Sequence, residues 1–214
     1  MIYVIDSSNL MQCGDLYRDQ FRLRHQEFID RQGYDVKVYR EMEFDEYDTP
    51  ATTYLVCTNS DRKVLGVSRL IPTIVKCMLV EHWPHTLFNP KNIISPNTWE
   101  GTRFCVDKTL PPEIRRQVAQ ELCAAYLEFG LQNGVNRIIG LMQTYVLRSV
   151  FGRCGIQYSA IGDVTTIGRY AKVQAAEMEI SLLQLQNMRR CTGLKNIIFQ
   201  ELTIYEKKGQ KYAA

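Results

Sequence analysis

Five acids fall within eight positions of the stretch YREMEFDEYDTP, residues 39–50: Glu41, Glu43, Asp45, Glu46 and Asp48. If residues 41–45 are extended, Glu41, Glu43 and Asp45 project from one face. Arginines stand elsewhere at positions that suit apolar residues. Arg24 lies on the helical stripe Tyr17, Phe21, Arg24, Phe28, and Arg69 and Arg103 sit in the strand-like runs VSRLIPT and WEGTRF. A guanidinium on a buried face needs carboxylate partners, because breaking such a pair costs on the order of several kcal/mol. The 39–50 acids are the obvious source. Such a set has two uses: an architectural network that ties a helix to a sheet, or carboxylates held for chemistry. Glu100 is better placed for chemistry. It precedes Gly101 in a strand-like run, where a bulge would free backbone N–H groups for an oxyanion.

The elements that must position these groups follow from periodicity. Residues 2–5 read as a strand and 10–31 as a helix stopped by Gly33. Residues 53–58 and 64–71 read as a hairpin across NSDRK. Residues 74–98 are irregular, with Pro84, Pro90 and Pro96, and 99–107 form the next strand, with Gly101 marking the bulge. The longest helix starts at the LPPE prolines and runs through Ile114, Val118, Leu122, Ala125 and Phe129 to Asn133–Gly134. A buried strand at 137–142, a short helix ending at Gly155 and a strand at 156–162 follow. Residues 170–190 read as helical. This pattern predicts an α+β (mixed α/β) fold, a central sheet with helices packed on it, without the regular alternation of a doubly wound nucleotide fold.

Bulk properties set limits. The 214 residues are 45% hydrophobic and 23% charged, enough for one domain with a real core. A net charge of +3 is too mild to argue for nucleic acid. The start, MIYVIDSSNL, lacks a basic leader, and no apolar run suits a membrane span, so neither a signal peptide nor membrane insertion is expected. Seven scattered cysteines without a CxxC suit reduced thiols in the cytoplasm. His82 and His85 have ligand-like spacing but no further candidate ligand nearby, so no metal is expected.

Four blocks in order resemble the acyl-homoserine-lactone synthases, the autoinducer synthases of bacterial quorum sensing. LRHQEFIDRQGYDV resembles the family pattern R-x3-F-x-x-R-x-G-W, and MEFDEYD resembles E-x-D-x-x-D. SRLIPT and WEGTRFCVD resemble R-L-x-P-T and W-E-x-S-R-F. The match covers about residues 20–155. Tyr34 stands where the family has Trp, Thr102 where Ser is common, and Trp83 where Phe is often found.

The resemblance implies an N-acetyltransferase-like mixed sheet, splayed near a bulge, with helices on both faces. It implies one domain over 1–214, an S-adenosylmethionine-binding part to about residue 110 and an acyl-chain and carrier-binding part beyond. S-adenosylmethionine and an acyl thioester, on acyl carrier protein or coenzyme A, are the substrates. The amine attacks the thioester, the carboxylate then attacks its own γ-carbon, and methylthioadenosine leaves. No cofactor is needed beyond these substrates. Glu100 is the implied base, and Arg24, Glu43, Asp45, Asp48, Arg69 and Arg103 complete the catalytic set. Asp45 and Asp48 would touch S-adenosylmethionine and Glu43 would hold Arg24. Phe28, Arg31, Tyr34, Trp83, Arg103 and Phe104 would wall its pocket. Leu141, Met142, Thr144 and Val146 would line the acyl chain. Leucine at 141 leans toward an unsubstituted chain, and a fully packed slot would mean a short or branched one. Arg115, Arg116, Arg148 and Arg153 would meet the acidic carrier protein. The oligomeric state stays open, a monomer included. The rival reading is an acyl-CoA-dependent N-acyltransferase of the same fold acting on another amine. The glycine-rich pyrophosphate loop of ordinary N-acetyltransferases is missing before the 112–133 helix, where EIRRQVAQ stands instead.

Overall fold

The computed structural model describes residues 1–167, 171–195 and 197. Strand β1 (Ile2–Ile5) leads into helix α1 (Gly14–Arg24), which widens to π geometry over His25–Asp30. Gly33 ends this helix in the left-handed region at φ 65°, as its spacing predicts, and Tyr34 N–H closes the turn onto Phe28 O. A two-strand ribbon, β2 (Val38–Tyr39) and β3 (Met42–Glu43), follows.

The main sheet begins with the predicted hairpin, β4 (Thr53–Thr58) and β5 (Val64–Pro72). All six residues of β4 are buried, as suits a strand covered on both faces. Helix α2 (Met78–His82) and two short 3-10 turns occupy the proline-rich stretch, where no helix is expected. Strand β6 (Thr98–Val106), helix α3 (Pro112–Gln132) and strand β7 (Arg137–Gln143) complete the centre. Helix α4 (Thr144–Val146) runs on through π and 3-10 turns to Cys154, and Gly155 stops it at φ 76°.

The helical reading of 170–190 is wrong in its first half; residue 170 itself lies outside the described residues. After β8 (Ser159–Ala160) and β9 (Thr165–Ile167), residues Ala171–Glu179 form strand β10. Ala, Lys, Gln, Glu and Met favour helix. Here β7 on one side and β8 and β9 on the other capture the segment as a strand, so pairing overrides propensity. Helix α5 (Leu182–Thr192) follows, capped by the Ser181 hydroxyl, which accepts from Gln184 N–H.

The sheet order is β1-β4-β5-β6-β7-β10-β8, with β9 also on β10. Every pairing in it is antiparallel except β6 with β7. One face buries Leu55, Leu70, Leu122, Tyr126 and Met178 under α3 and α5. The other buries Ile5, Tyr54, Val56 and Val67 under α1, and Leu79, Ile139 and Ala175 around α2. This is the expected mixed sheet with helices on both faces. No described helix is long and apolar enough to cross a membrane.

Candidate active site

Two departures from regular sheet build the site. The first is a fork. Strands β6 and β7 pair only over Thr98–Glu100 and Arg137–Ile139, then separate. The second is a bulge. Pairing of β5 with β6 steps from Val67↔Cys105 to Arg69↔Thr102, so Arg103 and Phe104 together oppose Ser68. Arg103 takes a φ of 52°, in the left-handed region that costs a non-glycine residue roughly 1–2 kcal/mol. The bulge is therefore at Arg103, and the expectation that Gly101 marks it is wrong. Its effect is to turn two consecutive side chains, Thr102 and Arg103, to the α1 face.

On that face the charged residues close into one network. Arg24 donates through Nε to Glu43 (2.6 Å) and through both Nη atoms to Asp48 (2.8 and 2.9 Å). Arg69 donates to Asp45, pairs with Asp48 at 3.0 Å, and donates through Nε to Thr102 Oγ1 (2.8 Å). Arg103 joins Glu43 (2.9 Å) to Asp45 (2.7 Å). Three guanidiniums balance three carboxylates. Arg24, Arg69 and Glu43 are wholly buried. Removing one member would strand a buried charge, at about 3–5 kcal/mol. The arginines beside them hold the Asp45 and Asp48 carboxyls below the usual carboxylate range, against the opposing effect of burial.

This geometry corrects part of the sequence reading. Glu41 occupies an exposed left-handed turn at φ 59° and does not share a face with Glu43 and Asp45. Asp48 has both oxygens on Arg24, with Tyr54 Oη and Asp45 N–H as further donors, which leaves little for a ligand. The part of the network that reaches solvent is Asp45 and Arg103, with side chains 10% and 12% exposed. Thr102 and Tyr54 belong to the network and were missed in the sequence, where a Thr and a Tyr in strands look like ordinary strand formers.

Glu100 lies at the crotch of the fork, the last residue of β6 paired with β7. It is 2% exposed and accepts from Met78 N–H (2.6 Å) and Leu79 N–H (2.9 Å) of α2. Burial outweighs these donors and pushes its carboxyl up to about 7. Phe28 stacks on Tyr34 with centroids 5.6 Å apart, and the Arg103 guanidinium lies 5.5 Å from the Phe28 ring. Arg31 instead pairs with Glu27 at 2.7 Å. Trp83 packs beside Leu79 and Leu141 at the β7 end of the same sheet face.

Phe104 does not join Phe28 and Arg103. Strand alternation carries it to the α3 face, against Tyr126 and Phe151. The same alternation splits Leu141 from Met142: Leu141 packs on the cluster around α2 that Trp83 also borders, and Met142 and Val146 pack against the α3 core. The two therefore do not line one pocket. Thr144 starts α4 at the end of β7. Arg115 and Arg116 lie near the start of α3, and Arg148 and Arg153 on the helical segment after β7. An open groove of about 580 Å³ lies at the start of β7, between Asn97, Arg137, Glu177 and Asn187, and contains none of the candidate residues.

Residues 7–187 match the autoinducer synthase family. The chain belongs to that family. It is an acyl-homoserine-lactone synthase, an acyltransferase of quorum sensing. An acyl-homoserine-lactone synthase of Rhizobium etli is 33% identical over 157 residues, 72% of this chain and 74% of that one. The solved structure of BjaI, a CoA-dependent acyl-homoserine lactone synthase with S-adenosylmethionine and isopentyl-CoA, superposes with a TM-score of 0.80 at 28% identity, covering 92% of each chain. A candidate N-acetyltransferase of Lactobacillus plantarum shares the fold at a TM-score of 0.54 and 17% identity, covering 84% of this synthase and 99% of that chain.

Proposed function

We propose that this synthase acylates the amine of S-adenosylmethionine at the β6–β7 fork and then lactonises the product, with Glu100 as the base. The observation that carries this reading is the position of Glu100: a carboxyl tuned to about 7, at the crotch of the fork, on the face that carries the charged network. An α-amino group has a pKa of about 8, so a base near 7 is matched to removing its proton. Glu100 acts through a water, since both its oxygens already accept from α2. The amine forms a bond to the thioester carbon, and the thiol leaves. Within Gly101–Arg103, the backbone N–H groups on the β7 side take the developing oxyanion; the departure of β7, rather than a bulge at Gly101, opens that edge, while β5 keeps Gly101 and Thr102 paired on the other. In the second step the carboxylate forms a bond to the γ-carbon, the carbon–sulfonium bond breaks and neutral methylthioadenosine leaves. That step requires positioning more than a strong catalyst.

Asp45 and Arg103, the exposed members of the network, meet the charged end of S-adenosylmethionine. Phe28, Tyr34 and Trp83 supply apolar wall. Arg24, Glu43, Asp48 and Arg69 hold them rigid. The donor is a pantetheine thioester, and the likeness to a CoA-dependent synthase favours acyl-CoA. Exposed Arg148 and Arg153 suit an acidic carrier protein as the second donor. The reaction draws on soluble substrates, which fits a cytoplasmic setting. The part up to about residue 110 would bind S-adenosylmethionine, and the rest the acyl group and its carrier.

Mass spectrometry of organic extracts from cells expressing the synthase tests the reading. An ion series with the homoserine-lactone fragment is expected. Acylated products of some other amine, with no lactone, would favour the rival N-acyltransferase.

A further inference from the structure

Beyond Glu100 the two strands of the fork present glycines toward α3, and what lies beneath them is aromatic. A Cβ on Gly140 would come within 2.8 Å of Gly101 O, and a Cβ on Gly101 within 2.8 Å of Tyr126 Oη. The Tyr126 hydroxyl therefore rests directly against β6 at the crotch. It is fixed there by a short hydrogen bond with Ser68 Oγ, and the ring is 2% exposed. Phe151 stacks on Tyr126 at 6.2 Å, and Phe104 closes the triangle at 5.6 Å from Phe151 and 6.2 Å from Tyr126. Met142, Val146 and Val150 pack against the hydrophobic core that contains Tyr126 and Phe151. All three rings come from separate elements, β6, α3 and the helical segment after β7, so no single loop movement clears them.

We propose that Phe104, Tyr126 and Phe151 form a stop that restricts this synthase to short acyl groups, straight or branched. This rests on the acylation reading above. A thioester carbonyl held at the crotch starts its acyl chain at Gly101, and a chain directed under the sheet meets the Tyr126 ring at once. On this proposal a short chain ends above the rings. Each further methylene requires a packed aromatic to leave its place, and close-packed interiors resist that. Tyr126 is the fixed floor, because its hydroxyl is tied to Ser68. Phe151 is the movable wall, because its ring has no polar tether.

The test is a competition. Purified synthase is given S-adenosylmethionine and an equimolar mixture of butyryl-, isovaleryl-, octanoyl- and dodecanoyl-CoA, and the lactones are counted by mass spectrometry. The wild type should favour the two short donors by about 10-fold or more, the scale on which a pocket discriminates methylenes. Phe151→Ala and the milder Phe151→Leu should each raise the octanoyl-to-isovaleryl ratio. The ratio is independent of how much enzyme folds, so a variant that is merely unstable loses both products and leaves it unmoved. A wild type that prefers octanoyl or dodecanoyl overturns the proposal even if neither variant folds. So does an unchanged ratio in both variants. With each donor supplied singly, methylthioadenosine release that favours long donors overturns the stop alone; no release from any donor overturns the acylation reading and the stop with it.

Discussion

At the scale of single residues, the charged set divides by exposure. Glu43 and Asp48 are consumed by arginines, and Asp45 likewise accepts from Arg69, Arg103 and Tyr47 N–H, but Asp45 and Arg103 keep a solvent-facing edge. Asp45→Asn should raise the KM for S-adenosylmethionine about 10-fold or more, from the roughly 1.5–3 kcal/mol of a charged hydrogen bond; steady-state kinetics check this, and an unchanged KM would remove Asp45 from the pocket. Glu100 predicts a pH dependence. Its folded pKa, about 7, is raised above the model-peptide range, so the carboxylate forms only as pH rises through 7. kcat/KM should therefore climb across that point. Glu100→Gln should lose this limb and retain only the rise from the substrate amine near 8. The sign for stability is opposite: between about 4.3 and 7 the folded state holds the extra proton, so this group's contribution falls as pH rises. The identities of these residues were legible in the sequence because charge at apolar-looking positions is conspicuous. Their division of labour was not, because spacing does not show which oxygens an arginine occupies.

At the scale of elements, irregularities make the site. The fork releases backbone groups beside Glu100, and the bulge brings Thr102 and Arg103 to one face. The splay is what the resemblance implies, but the bulge was misplaced in the sequence reading. Gly101 read as the bulge, but its missing Cβ serves a close approach to Tyr126, and the left-handed residue is an arginine. Gly101→Ala should cost about 1–3 kcal/mol through overpacking. Thermal unfolding should show it, and Tyr126→Phe, which removes the hydroxyl, should restore part of the loss in the double variant. Full additivity would mean the alanine is accommodated elsewhere. Strand β10 was missed for a different reason: its residues favour helix, and only its neighbours in the sheet decide otherwise. The paired strands β4 and β5 and helix α3 were legible, because their apolar patterns agree with their burial.

At the scale of the whole molecule, one sheet spans both halves of the chain, and its one parallel pairing among the described residues, β6 with β7, brings the first half's Glu100 beside the second half's strand. On the proposed function, the donor would enter between these halves. Arg148 and Arg153 lie on the helical segment after β7, where a carrier protein could approach the fork. Replacing both with Glu should raise the KM for a carrier-borne donor more than that for the same acyl group on coenzyme A, and the difference should shrink as salt is added. Equal effects on both donors would place the carrier elsewhere. The most direct test of the account is the coupling of the two reactions. Purified synthase with S-adenosylmethionine should release methylthioadenosine only when an acyl thioester is supplied, one molecule for each acyl-homoserine lactone formed. Methylthioadenosine released without a donor, or acylation of an amine without its release, would contradict a single site that acylates first and lactonises second.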